Sequence, residues 1–113
     1  MNEDFLIPVH DFPDIFYRTD LEGRIIFTSH SVEKKIGYSV EELLGTQLAD
    51  LYVEKGQRQN FLQQLKENDG QLTGFQTPLR HKNGGTVWAS ISATYYYDED
   101  GKVAGEFKAL HEI

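Results

Sequence analysis

The chain has 113 residues, 39% of them hydrophobic, with seven Phe, six Tyr and one Trp, enough for one domain around one core. Its net charge of −7 argues against a general binder of phosphate backbones, and because the acidic residues are spread along the chain they read as an ordinary solvated surface. No apolar run approaches the ~18–20 residues of a membrane span, no secretory signal is evident, and the absence of cysteine removes disulfides, thiolate nucleophiles and cysteine metal sites.

Residues 1–13 carry Phe5, Leu6, Ile7 and Val9 broken by Pro8 and Pro13, which predicts an irregular or briefly helical N-terminal cap laid on a sheet face. Ile15 to Thr19 and Arg24 to Ser29 are two β-type runs separated by Asp20-Leu21-Glu22-Gly23, an antiparallel hairpin whose turn uses the Asp side chain and a Gly. The period then changes. Val32 and Ile36 mark a short helix stopped by Gly37, and Ser39 with Glu42 forms a capping box for a second helix ended by Gly45. Leu48 and Leu51 suit one further turn. Gln57 to Lys66 is the clearest helix, with Phe61, Leu62 and Leu65 as its apolar stripe and Asn68-Asp69-Gly70 closing it.

The last third is β. Leu72 to His81 forms a strand that Pro78 confines to an edge or a local break. Asn83-Gly84-Gly85 predicts a type I′ turn, Thr86 to Tyr97 a long strand, Asp98-Glu99-Asp100-Gly101 another reversal, and Lys102 to Ile113 the final strand. The expected fold class is α+β, a five-stranded antiparallel sheet with several short helices and one longer helix packed on one face.

The segments Y-R-T-D-L-E-G-R-I-I-F, G-Y-S-V-E-E-L-L-G, R-H-K-N-G-G-T-V-W-A-S, Y-Y-D-E-D-G-K-V-A-G and the terminal H-E-I, in that order and spacing, resemble a PAS domain over residues 14–113. The resemblance implies the PAS sheet order, a small cavity between sheet and helices, and a role as the sensory or dimerising piece of a larger signalling protein. In the family the last strand ends Asp-Ile-Thr and runs into a linker. Glu112-Ile113 stands there in this chain, so an excised fragment is expected, covalently linked in its parent to an output domain such as a histidine kinase of a two-component phosphorelay or a diguanylate cyclase. The family also implies a cytoplasmic location, in a parent that can itself be membrane-anchored, with no direct membrane contact and no nucleic acid for this piece.

Light-sensing flavin members resemble this chain up to a G-x-N-C-R-F-L-Q segment whose cysteine bonds the flavin. Leu48 occupies that position here, which excludes the cysteinyl-flavin photochemistry, while G-Q-R-Q-N-F-L-Q at residues 56–63 falls eleven residues too late and has Gln59 for the cysteine. Haem-binding members supply a histidine from the longer helix. Gln57 to Lys66 has none, so haem is not expected there, nor held another way through His30 or His81. The cofactor is left unnamed. The four histidines, His10, His30, His81 and His111, lack metal spacing, so no metal is expected. Ser29-His30-Ser31 is not a nucleophile–base pair, because neighbours on an extended chain point to opposite sides. Glu41-Glu42 fits a helix N-terminus better than acid–base catalysis. The domain is read as non-catalytic.

By resemblance, a carboxylate of the second helix pairs with the hairpin lysine, which predicts an ion pair of Glu42 and Lys82. Strand alternation makes Val87, Ala89, Ile91 and Ala93 the more apolar row, and the resemblance, in which the row beside the aromatic faces the helices, implies that this row points inward and Trp88, Ser90, Ser92 and Thr94 outward. The candidate pocket then comprises Phe27, Ser29, Ile36, Leu44, Leu48, Leu51, Phe61, Leu65, Phe75, Thr77, Leu79, Ala89, Ile91 and Leu110. In the last strand the two arguments conflict. Resemblance turns Glu106, Lys108 and Leu110 inward, whereas hydrophobicity turns Phe107, Ala109 and His111 inward. Burying unpaired charge is costly, so the second is expected, with a bulge or a shift of parity to accommodate it. An exposed Trp88 with Tyr96 and the cap residues Phe5, Leu6 and Val9 nearby suggests the face of a homodimer. Two functions follow, a sensor holding a small-molecule ligand in its cavity or a ligand-free dimerisation and relay module with a filled core.

Overall fold

In the computed structural model, which describes residues 14–113, two strands open the chain: β1 (Ile15–Asp20) and β2 (Ile25–Thr28). The hairpin between them turns on one side chain. Asp20 accepts from the amides of Glu22 at 3.0 Å and Arg24 at 2.9 Å, and Gly23, at φ 81°, completes the reversal. Asp98 repeats the device later in the chain, accepting from Asp100 and Lys102, with Gly101 in the place of Gly23.

Three helices and a 3₁₀ turn follow. Helix α1 (Ser31–Ile36) ends at Gly37 in the left-handed conformation, and α2 (Val40–Leu43) starts from Ser39 with the full capping box, Ser39 to the Glu42 amide and Glu42 back to the Ser39 amide. Leu44 caps α2 at its end, one residue before the expected Gly45. A 3₁₀ turn (Leu48–Leu51) leads to α3 (Gln57–Glu67), whose buried residues are Phe61 and Leu65.

Strands β3 (Gln71–Arg80), β4 (Thr86–Tyr97) and β5 (Val103–Glu112) complete one antiparallel sheet in the order β2-β1-β5-β4-β3. Strand β3 is therefore an edge, which accommodates Pro78. Its carbonyl accepts from the Val53 amide outside the sheet, so its donor-less nitrogen also faces away from β4. The β3–β4 connection is not the type I′ turn expected at Asn83-Gly84. It is a longer loop, His81 to Gly85, closed by the His81 amide on the Gly85 carbonyl, in which Gly84 takes positive φ and Asn83 does not. The Asn83 side chain instead accepts from the Gly85 amide at 2.8 Å, and a type I turn followed by a left-handed Gly needs no strained Asn.

Alternation on β4 buries Val87, Ala89, Ile91 and Ala93 against the helices and leaves Trp88 exposed. The cap 1–13, with Phe5, Leu6 and Val9, lies outside the described residues.

Candidate functional site

Between the inner sheet face and the helices lies an apolar void of about 20 Å³, room for about one water. Ile36, Leu48, Leu51, Leu79 and Leu110 of the candidate set line it, together with Ile15, Tyr17, Ile25, Val32 and Leu43, which the candidate set lacks. Phe61, Leu65, Phe75, Thr77, Ala89 and Ile91 are buried but pack elsewhere in the core. Phe61 meets Phe75 edge-on at 5.3 Å, and Thr77 accepts from Gln57 Nε2 at 2.9 Å. Ser29 is fully buried and structural. Its Oγ accepts from the Phe16 amide at 3.0 Å and shares a 2.7 Å bond with Ser31 Oγ, while His30 between them is exposed.

Two candidates miss the interior. Phe27 pairs with Arg18 while Ile25 pairs with Thr19, so Ile26 is the extra residue of a bulge and the parity of β2 changes there. Phe27 is thereby carried to the side of Arg18, and Thr28 takes the inward position opposite Tyr17. Leu44 is 45% exposed because the four-residue α2 ends before it, leaving Leu43 as its buried contact.

The largest correction concerns β5. Its register with β1 runs unbroken from Ile15–Leu110 to Asp20–Gly105, and the irregularity on its other side falls at Tyr96/Tyr97, too late to change the parity of residues 106–110. Glu106 (2% exposed), Lys108 (0%) and Leu110 face inward, and Phe107 and Ala109 lie outward, half-buried. Hydrophobicity fails here because the charges are not unpaired. Lys108 Nζ stands 3.0 Å from Glu106 Oε1 and donates to Thr19 Oγ1 at 2.9 Å, and that hydroxyl in turn donates to Glu106 Oε1 at 3.0 Å. From α3, Arg58 reaches the same carboxylate oxygen at 2.9 Å. The Tyr17 and Phe61 rings flank Lys108 Nζ at 5.2 Å each.

The cluster is electrostatically incomplete. It sets two cations, Lys108 buried and Arg58 half-buried, around one carboxylate, and the Arg58 Nη1 contact lies outside hydrogen-bond alignment although close. The Tyr52 hydroxyl is buried beside Arg58, whose charge and hydrogen bonding oppose the effect of burial on it. Burial, reinforced by Arg58 and opposed by Glu106, lowers Lys108 to about 7, and burial raises Tyr52 to about 12. The candidate set omits Tyr17, Thr19, Tyr52, Arg58, Glu106 and Lys108 altogether. Their one trace in the sequence is the alternation of Glu106, Lys108 and Leu110 along a strand.

On the surface, Lys82 Nζ lies 2.6 Å from Glu42 Oε2, and hydrogen bonding to Lys82, then to the Ser39 amide, holds Glu42 below its ordinary range. Trp88 is 53% exposed. Tyr96 is not its neighbour, since eight residues of strand separate them by roughly 27 Å. It packs under Arg18 at 5.0 Å and donates to the Thr19 carbonyl at 3.3 Å, crossing Gly105, where any Cβ would collide with that carbonyl oxygen. Phe16 and Phe107 stack at 6.3 Å on the same outer face. Among the described residues no three His, Asp or Glu side chains gather as metal ligands, and no helix is long and apolar enough to cross a membrane.

The model of the PAS fold family matches residues 8–113. Sporulation kinase C of Bacillus subtilis (strain 168) is 22% identical over 100 residues, 88% of this chain and 23% of that protein, so the chain spans about a quarter of its length. Among solved structures, the PAS domain of a protein from Colwellia psychrerythraea is similar at TM-score 0.82 and 26% identity, covering 93% of this chain and 90% of that one. A light-oxygen-voltage domain (TM-score 0.74, 18% identity, covering 88% and 77%) and a PAS domain from a two-component sensor histidine kinase (0.73, 16%, covering 93% and 87%) share the fold.

Proposed function

Since the chain belongs to the PAS fold family, we propose that it is the non-catalytic sensory module of a larger signal-transduction protein and passes its state from α3 to β5. One observation carries the reading. Arg58 of α3 and Lys108 of β5 share the Glu106 carboxylate inside the domain, so a displacement of α3 alters the electrostatics of the strand that, by family resemblance, leads toward the output domain. The relatives favour a histidine kinase as that output over a diguanylate cyclase. Leu48 stands where flavin members have cysteine, which argues against light sensing through a cysteinyl bond as the signal.

The void of about 20 Å³ favours the relay form of this reading, because a filled apolar core has no room for a ligand at the Ile36–Leu48–Leu110 position. Hydrogen exchange of the Arg58→Gln chain tests the coupling. Faster exchange is expected along residues 106–112 as well as in α3, and a change confined to α3 would overturn it.

A further inference from the structure

The loop between β3 and β4 is tied to the helices through the residue that opens it, His81. Its half-buried ring lies so close over Gly37, at the left-handed end of α1, that a Cβ on that glycine would stand 2.7 Å from the ring Cε1. The ring Nδ1 accepts from the Asn83 amide at 3.0 Å. A ring nitrogen that accepts an amide carries no proton, so the neutral ring holds its hydrogen on Nε2. The backbone of His81 closes the same loop, its amide donating to the Gly85 carbonyl at 2.8 Å and its carbonyl accepting from the Gly84 amide at 2.9 Å. Lys82, the next residue, seals two helix ends. Its amide donates to the Ile36 carbonyl at the end of α1, and its Nζ meets Glu42, which caps the start of α2. These two helices supply Val32, Ile36 and Leu43 to the wall of the apolar void.

We propose that His81 is a proton-operated latch: neutral, it holds the 81–85 loop against α1 and α2, and protonated, it releases the Asn83 amide and loosens the helices that wall the void. The inference goes beyond the sensory reading and needs neither the link of Arg58 to Lys108 nor a ligand. A proton on Nδ1 occupies the lone pair that accepts from Asn83, so that bond is lost. The new charge falls beside Lys82, whose own charge serves Glu42, and against the end of α1, where helix carbonyls favour a cation. The protonated ring thus exchanges one partner for another within the fold. The other ionisable groups of the surrounding elements are engaged or turned to solvent. Glu33 of α1 accepts from the Val40 amide, Lys35 stands 4.0 Å from Glu112, Tyr38 packs against the core and Arg80 is exposed. Imidazole is the side chain that ordinarily changes charge between pH 5 and 8, so the latch would work in the physiological range.

NMR of the full chain from pH 8 to 5.5 tests this. At pH 8 the His81 ring is expected to carry its hydrogen on Nε2. On acidification the Asn83 amide should lose its hydrogen-bonded shift and about tenfold of its exchange protection, the loss of one ordinary bond. The methyl signals of Val32, Ile36 and Leu43 should move with the same midpoint as the His81 ring. His81→Asn, which keeps an acceptor that does not titrate, should abolish both responses while leaving Lys108, which also titrates near neutrality, in place. A ring with its hydrogen on Nδ1 at pH 8, a His81 titration that leaves the Asn83 amide or the three methyls unmoved, or responses that persist in His81→Asn would each overturn the proposal. The first two are read from the parent chain and do not depend on a variant folding. Exchange along β5 in Arg58→Gln reports on the relay separately, so either reading can fail without the other.

Discussion

Glu106 is one carboxylate serving two cations, the buried Lys108 and the half-buried Arg58, and this asymmetry decides what each substitution does. Glu106→Gln leaves Arg58 and Lys108 facing each other in the interior, so a loss of about 3–5 kcal/mol is expected by urea unfolding. Lys108→Met removes the excess charge and leaves the Arg58–Glu106 pair intact, and its urea midpoint should stay near or above that of the parent. The pH profile follows from the same lysine. Burial and Arg58 hold Lys108 at about 7 in the fold against an ordinary 10.5. Between those values the unfolded chain binds a proton that the folded chain has released, so stability rises with pH by up to about 1.4 kcal/mol per unit. Below that window both states hold the proton and Lys108 contributes no slope. Tyr17 and Tyr52, raised above 10.0 by burial, act in the opposite sense above that pH, where the unfolded chain loses protons that the fold retains. Urea midpoints measured from pH 6 to 10 should climb in the parent and flatten in Lys108→Met. At this scale the sequence shows which residues are charged and where they alternate. It does not show that Arg58, far away along the chain, supplies the partner that makes burial tolerable.

Local rules govern the elements where all partners lie within a few residues. The capping box of α2 is legible as S-V-E-E because Ser39 and Glu42 are three apart and satisfy each other's amides. Ser39→Ala should cost about 1 kcal/mol, read as a lower urea midpoint with an unchanged slope. Turns built on Asp20 and Asp98 are legible for the same reason. The β2 bulge is not, since its extra residue, Ile26, is chosen by pairing with β1 and no neighbour in sequence marks it. That one residue decides whether Phe27 or Thr28 faces the interior. The hairpin after Arg80 is misread in a similar way, because a Gly-rich triplet fits both a two-residue turn and the longer loop that forms.

At the scale of the whole molecule, the order β2-β1-β5-β4-β3 puts β5 at the centre of the sheet, bonded on both sides, with its inner row under α3 and its outer row beside Phe16. A homodimer through the outer face would cover Trp88, the chain's single Trp. Its emission is expected to shift to the blue and lose acrylamide quenching over the concentrations at which sedimentation shows dimer. A shift in sedimentation with unchanged emission would place the contact elsewhere.

Sequence by itself determined the periods, the caps, the Asp-Gly reversals and hence an α+β order of two strands, helices and three strands, because each is a short-range property of neighbouring residues. Five motifs in order were enough for the family. Only the tertiary structure decided the parity of β5, the outward turn of Phe27, the near-complete filling of the apolar core, and the gathering of Tyr52, Arg58, Glu106 and Lys108 in one place. Those outcomes depend on which distant groups meet. A buried charge is excluded or accepted according to the partner it finds, and the partner comes from packing.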